Sequence, residues 1–300
     1  MRKIILLLFV FCILAACRQS QPGQSASQKK AAASGAQLIC RDNEQAGESE
    51  IYVKDSGSER LLTKVTGIFF DHYHYTESHG STLFIIRRTG DLVEWTEWTD
   101  ELWRFDADRS EGKMVFAAQG LDFRASPDAQ RIAVTTNEKL TIIDGAGSIL
   151  KEYSAVDFTS QNPLSTGAFE PRGWSDDSRL FWLSMAEEGN PSVICSLECA
   201  SWKLSIYSTE GIGIESEYEI NLNNGKLAVS DYPFLFDADD ENELIESKKK
   251  ITLFVYDLAS GSREQIATSE AKPFNPEWKE GNKLEFDSPD DKGRKTVAVQ

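Results

Sequence analysis

The sequence predicts an all-β fold of repeated four-stranded units, and three observations predict it. First, a short polar turn leading into an apolar strand start recurs as Gly35-Ala-Gln-Leu38, Gly80-Ser-Thr-Leu83, Ala129-Gln-Arg-Ile132, Asp177-Ser-Arg-Leu180, Asn224-Gly-Lys-Leu227 and Gly281-Asn-Lys-Leu284. The apolar positions lie 45, 49, 48, 47 and 57 residues apart. Second, an alternating strand series interleaves with the first, at residues 51–55, 102–106, 140–144, 204–208 and 253–257. Each member is followed within six residues by a glycine (Gly57, Gly112, Gly145, Gly211 or Gly261), as a tight hairpin requires. Third, a turn-bearing segment precedes most units, at 123–128, 171–177 and 275–281. No amphipathic helix is expected from residue 38 onward.

One four-stranded sheet cannot bury both of its faces alone, whereas radial stacking covers each face with the next unit. Repeats of about 40–50 residues with this strand count therefore point to a β-propeller. Six blades are expected, or five or seven if a unit is divided differently. The first unit lacks its inner strand and the last stops after Thr296-Val297-Ala298-Val299, so the two chain ends are expected to complete one ring. The mix of Ser-Pro-Asp turns, Leu-x-Val-x-Asp strands and Ser-Gly hairpins resembles the TolB-type, WD-repeat-like propellers over about residues 38–300. Asp128, Asp177, Trp174 and Trp278 match that family's turn, and Leu62-Thr63 its strand ending.

At the N-terminus, Arg2 and Lys3 precede an apolar run of thirteen residues, 4–16. That is too short to cross a bilayer as a helix but suits a signal-peptide core. The run ends in Leu14-Ala15-Ala16-Cys17, which resembles the lipobox of bacterial lipoproteins. The resemblance implies that residues 1–16 are removed, that Cys17 is lipidated with diacylglycerol and an amide-linked acyl chain such as palmitate, and that the protein is anchored outside the cytoplasm. Arg18 after the cysteine implies the outer membrane where the organism has two. Residues 18–37 contain no aromatic, acidic or β-branched residue, so they read as a disordered tether with a reach of roughly 25 Å. The expected organisation is thus signal peptide 1–16, lipidated Cys17 and tether to 37, and propeller 38–300.

The chain of 300 residues carries 32 Lys+Arg against 48 Asp+Glu, a net charge of −16. From residue 38 onward the charge is −21, because the remaining basic residues lie in the leader and tether. Nucleic-acid binding is excluded as a function class, since it needs a basic stripe. So negative a body is repelled by anionic membrane surfaces while a lipid holds it there.

All three histidines fall within Asp71-His72-Tyr73-His74-Tyr75-Thr76-Glu77-Ser78-His79. On a strand His72 and His74 face one side, and His79 or Glu77 from the following turn could complete a Zn²⁺ site. The plainer reading makes them half-buried inner-strand residues, with His74 opposite Phe123 when Leu83 is aligned with Ile132. A loop from Asp237 through Glu243 is oxygen-rich like a calcium loop, but Asn242 and Lys248 stand where Gly and Glu are needed. No cofactor is otherwise expected. Cys195 and Cys199 are read as a loop disulfide, the default outside the cytoplasm. That leaves Cys40 over, and a bridge from Cys40 to either of them stays open.

Enzyme signatures are missing: Gly173-Trp-Ser175-Asp-Asp177 lacks the second glycine of a nucleophile elbow, and no phosphate-binding glycine loop occurs. Trp95 and Trp98 fall in a loop before a strand and are the candidate partner-binding anchors, with loop packing as the alternative; Trp103 reads as core. The function expected is a membrane-anchored envelope module that binds or scaffolds a protein partner. The alternatives are a propeller enzyme, metal-assisted or carbohydrate-active, and a structural envelope lipoprotein.

Overall fold

Among the described residues of the computed structural model, twenty-two short strands, meandering in antiparallel groups, build six sheets. The structure describes residues 36–300 apart from 44–47, 67–75, 92–96, 110, 137–138, 188–189, 213, 215–216, 234, 236–237 and 291. Sheet one holds β1 (Gln37–Asn43), β2 (Glu48–Asp55) and β3 (Ser58–Thr66). Sheet two holds β4 (Thr76–His79), β5 (Thr82–Asp91), β6 (Glu97–Asp106) and β7 (Lys113–Ala118). Sheet three holds β8 (Asp122–Ala125), β9 (Arg131–Thr135), β10 (Lys139–Asp144) and β11 (Ile149–Ser154). Sheet four holds β12 (Ala168–Trp174), β13 (Leu180–Glu187), β14 (Asn190–Glu198) and β15 (Lys203–Ser208). Sheet five holds β16 (Tyr218–Ile220), β17 (Lys226–Ser230), β18 (Lys250–Asp257) and β19 (Arg263–Glu270). Sheet six holds β20 (Glu277–Lys279), β21 (Lys283–Asp287) and β22 (Arg294–Ala298).

Among the described residues sheets one and six hold three strands each, where sheets two to five hold four. The described residues belong to the unit Ala36–Gln300.

The core lies between sheets. Among the described residues there are five buried apolar clusters, one for each pair of successive sheets. Side-chain alternation explains this: on β9, Ile132 and Val134 pack toward sheet two while Ala133 packs toward sheet four. A fully buried Phe such as Phe123 or Phe274 contributes about 1.5–3 kcal/mol by leaving water. Sheets stacked face to face with their first strands side by side (β4 by β8, β8 by β12, β16 by β20) make a β-propeller.

The first-to-second-strand turns gather on one rim and interlock. Asp128 N–H donates to Ser178 Oγ (3.3 Å), Asp176 N–H to Asn223 Oδ1 (2.8 Å), and Asn224 Nδ2 to Asn282 Oδ1 (2.7 Å). Gly147 at φ +92° lies so close to the Val115 carbonyl that a Cβ would sit 2.4 Å from its oxygen.

Several expectations change. Among the described residues two short helices occur, α1 (Ala155–Thr159) and α2 (Ala238–Ser247). The oxygen-rich calcium-like segment largely forms α2, and Leu244 from it is buried against sheets five and six. A helix fans its carboxylates around an axis instead of closing them on one point. The segment 204–208 is the outer strand β15, and the third strand of that sheet is β14, which contains Cys195. The predicted Cys195–Cys199 disulfide is therefore not formed, and both thiols are free. Four residues of extended chain separate Cα atoms by about 13 Å, roughly twice what a disulfide spans. β14 escaped notice because residues 193–197 are buried on both faces, which erases the alternation of apolar and polar residues.

Candidate functional site

The inner strands line the propeller axis, and their register defines a ring. In four sheets one inner-strand residue stands opposite the apolar start of the second strand: Ser78 opposite Leu83, Ala125 opposite Ile132, Ile220 opposite Leu227 and Trp278 opposite Leu284. The residue just before it is Glu77, Arg124, Glu219 or Glu277, so one level of the axis is charged. In β12 a bulge between Pro171 and Gly173 adds Arg172 at this level.

Neighbouring strands are tied through these residues. Ala125 N–H donates to Glu77 Oε2 (2.6 Å), Glu77 Oε1 lies 3.7 Å from Arg124 Nε, and Oε2 lies 3.4 Å from His79 Nε2. The Trp174 indole N–H donates to the Arg124 carbonyl (2.8 Å). Arg172 pairs with Glu170, donates to Ser184 Oγ (2.9 Å) and rests its guanidinium 4.7 Å from the centre of the Tyr218 ring. The Trp278 indole donates to the Glu219 carbonyl (3.0 Å).

Glu219 differs from its counterparts. Its side chain reaches water in the axial space yet is enclosed by protein. That enclosure raises its carboxyl above the ordinary 4.5, with Glu277 adding to the rise and Arg172 opposing it. Glu277 is held below its ordinary value, chiefly by the hydrogen bond from Lys279.

Where β4, β8 and β12 end, the axis opens into a cavity of about 240 Å³ bounded by Glu77, His79, Arg124, Pro127, Gly173 and Trp174. It offers the guanidinium of Arg124, the imidazole of His79, the carboxylate of Glu77 and the apolar surfaces of Trp174 and Pro127. Such a mixture suits recognition of a polar group joined to an apolar one. A second hollow of about 320 Å³ lies between sheets two and three, around Arg104, Asp106 and Asp144. Arg104 already donates there to the carbonyls of Ala129 (3.2 Å) and Gly145 (3.0 Å), clamping the two sheets.

Of the histidines, only His79 is placed; His72 and His74 lie outside the described residues. His79 is the last residue of β4, joined to β5 through Gly80-Ser81, and its ring meets the edge of Phe84 at 6.5 Å. This two-residue turn shortens the hairpin relative to β8–β9, so Thr76, not His74, takes the place equivalent to Phe123. Among the described residues no group of three or more His, Cys, Asp or Glu is arranged to hold a metal ion.

Cys17 and Trp95 also lie outside the described residues. Trp98 is not in a loop but in β6 opposite Gly90, with the Arg88 guanidinium 5.1 Å from its ring centre. Arg88 is fixed by buried Asp100 at 2.6 and 3.0 Å, so Trp98 packs against a clamped ion pair instead of standing free as an anchor. Trp103 is part-buried against the cluster between sheets one and two. Burial pushes the Cys195 thiol up to about 12 and Cys199 to about 11, which keeps both protonated and unreactive near neutrality. Cys40 lies half-buried on β1 opposite Ile51.

Asp128 and Asp177 close their turns locally. Ser126 Oγ donates to Asp128 (2.6 Å) and Ser175 Oγ to Asp177 (2.7 Å), and Ser175 also receives Leu180 N–H (2.9 Å). The Glu77–Arg124 contact was not picked out from sequence. The recurring acid two residues before a base (Glu77/His79, Asp122/Arg124, Glu170/Arg172, Glu277/Lys279) was the available signal.

No family model and no curated protein matches this chain. Solved structures do. A prolyl endopeptidase structure is similar at 12% identity and TM-score 0.53, over 89% of this chain and 42% of that one. Oligogalacturonate lyase from Vibrio parahaemolyticus is similar at 12% identity and TM-score 0.52, over 84% and 74%. TolB from Acinetobacter baumannii aligns at 12% identity and TM-score 0.41, over 89% of this chain and 64% of its own length. The chain thus spans less than two thirds of the TolB and endopeptidase chains. At such identities the likeness establishes the propeller fold and no activity.

Proposed function

We propose that this chain is a lipid-anchored propeller of the bacterial cell envelope that binds a protein partner at the axial cavity on its turn rim. The observation that carries the reading is that cavity, where three sheets contribute Glu77, His79, Arg124 and Trp174 to one opening. Its charged groups are tied to one another and to the backbone. Fixed, mutually neutralised groups beside an aromatic face favour binding over proton transfer. The Leu14–Cys17 motif supports the anchor, and Arg18 supports the outer membrane in a two-membrane cell.

Two measurements test this. Cys17→Ser should abolish acyl labelling and release the protein from the membrane fraction; labelled, membrane-bound Cys17→Ser would end the lipoprotein reading. A photo-crosslinking residue at His79 should give one discrete protein adduct in cells, lost on Arg124→Glu in a variant shown to be folded. Adducts unchanged by Arg124→Glu would remove the axial cavity from the binding surface.

A further inference from the structure

The polar groups around the axial cavity are unequally occupied. Glu77 Oε2 accepts the Ala125 N–H at 2.6 Å and lies 3.4 Å from His79 Nε2, while Oε1 lies 3.7 Å from Arg124 Nε. Arg124 Nη1 donates to the Phe123 carbonyl (2.6 Å) and to Asp122 Oδ1 (3.2 Å). Among the described residues Arg124 Nη2 and His79 Nδ1 are left without a hydrogen-bond partner, and neither is sealed from water. These two nitrogens are what the cavity presents to its contents.

Their chemistry differs. A guanidinium nitrogen only donates. A carboxylate only accepts, so the proton of a neutral His79 sits on Nε2, against Glu77, and Nδ1 is an acceptor. Both side chains flank the same carboxylate, which sets one donor and one acceptor at a single opening. Within the lining, the charge of Glu77 is matched by that of Arg124. The volume of about 240 Å³ is several times the share of one water molecule. That is room for a side-chain head group and not for a folded element.

We propose that the cavity takes a primary carboxamide, the side chain of an Asn or Gln of the protein partner. Its carbonyl accepts from Arg124 Nη2, and the N–H on the same edge donates to His79 Nδ1. This names the ligand chemistry of the site proposed above and rests on that reading. A carboxylate would set a lone pair against Nδ1 and add an unmatched charge, and an ammonium or amidinium would set its protons against those of Arg124. A trans main-chain peptide group carries its carbonyl and N–H on opposite edges, so it cannot serve both nitrogens. Trp174 and Pro127 supply the apolar wall for the methylene groups.

The test uses probes of nearly one shape: benzamide, benzoate, benzamidine and N-methylbenzamide. They are added to the full chain in detergent at about pH 8, above the ordinary imidazole range. With three histidines in the sequence, imidazole NMR signals are few, and the one lost in His79→Gln reports the site. That signal should show the Nε2–H tautomer, and benzamide should move it with a dissociation constant on the order of millimolar, as suits so small a probe. Benzamide should bind at least about fivefold more tightly than the other three. In a folded His79→Lys variant a donor replaces the acceptor, so benzoate should overtake benzamide. Benzoate or benzamidine binding the wild type as tightly as benzamide would overturn the inference. So would an order unchanged by His79→Lys, or no response to any probe at about 50 mM. Equal binding of N-methylbenzamide would overturn the side-chain source in favour of a main-chain amide. The probes need no partner, so their failure leaves the cellular crosslink standing, and loss of that crosslink leaves their order standing.

Discussion

Glu77 and Glu219 hold the same place on two inner strands, and they meet different surroundings. Between β4 and β8, Glu77 does two jobs: it receives the Ala125 N–H and faces Arg124 and His79. Between β16 and β20 those jobs are divided. Glu217 receives the N–H groups of Phe274 (3.1 Å) and Asn275 (2.8 Å), which leaves Glu219 enclosed by protein, with Arg172 and Glu277 acting on it in opposite directions. A propeller repeats its backbone more faithfully than its electrostatics. One side of the axis offers matched charge around a cavity, and the other an enclosed acid.

The largest effect should come from breaking the tie that Glu77 makes. Glu77→Ala leaves the Ala125 N–H and the Arg124 guanidinium without their carboxylate and should cost about 2–3 kcal/mol in urea unfolding. A loss under about 0.5 kcal/mol would mean that water replaces the carboxylate and that the two sides of the axis are alike. The indoles come next. Trp174→Phe deletes a bond to a carbonyl from a residue only 4% exposed and should cost about 1–2 kcal/mol, whereas the more exposed Trp278→Phe should cost about half a kcal/mol or less. Equal losses would erase the difference between the two sides.

The smallest effect concerns Glu219 and is read from pH. A carboxyl raised in the folded protein keeps a proton that the unfolded chain has released, so stability falls as pH rises from about 4.5 to the folded value. Glu219→Gln lacks this titration. It should match the wild type near pH 4 and exceed it at pH 7 by under about 1 kcal/mol, since the group reaches water. Parallel stability curves across that range would remove the enclosed acid from the account.

The repeat and most strand positions were legible because each unit restates one local rule, a polar turn before an apolar strand. Asp128 and Asp177 were visible for the same reason, since a Ser and an acid two residues on close a turn locally. β14 was not legible, because burial on both faces removes the periodic signal. The helix α2 was hidden by its composition: residues 239–243 are acidic and polar, and Leu244, docked between sheets, marks its buried side. Trp98 read as a loop residue because Glu97, Thr99, Asp100 and Glu101 around it are polar.

The sequence alone determined the unit of construction, a polar turn followed by an apolar strand in an all-β repeat, since this follows from short-range alternation and turn chemistry. Tertiary structure alone decided which charges meet. Glu77 and Arg124 lie 47 residues apart and come together only because radial stacking sets successive inner strands side by side. A residue's local sequence fixes which way its side chain points; its partner is chosen by the neighbouring sheet.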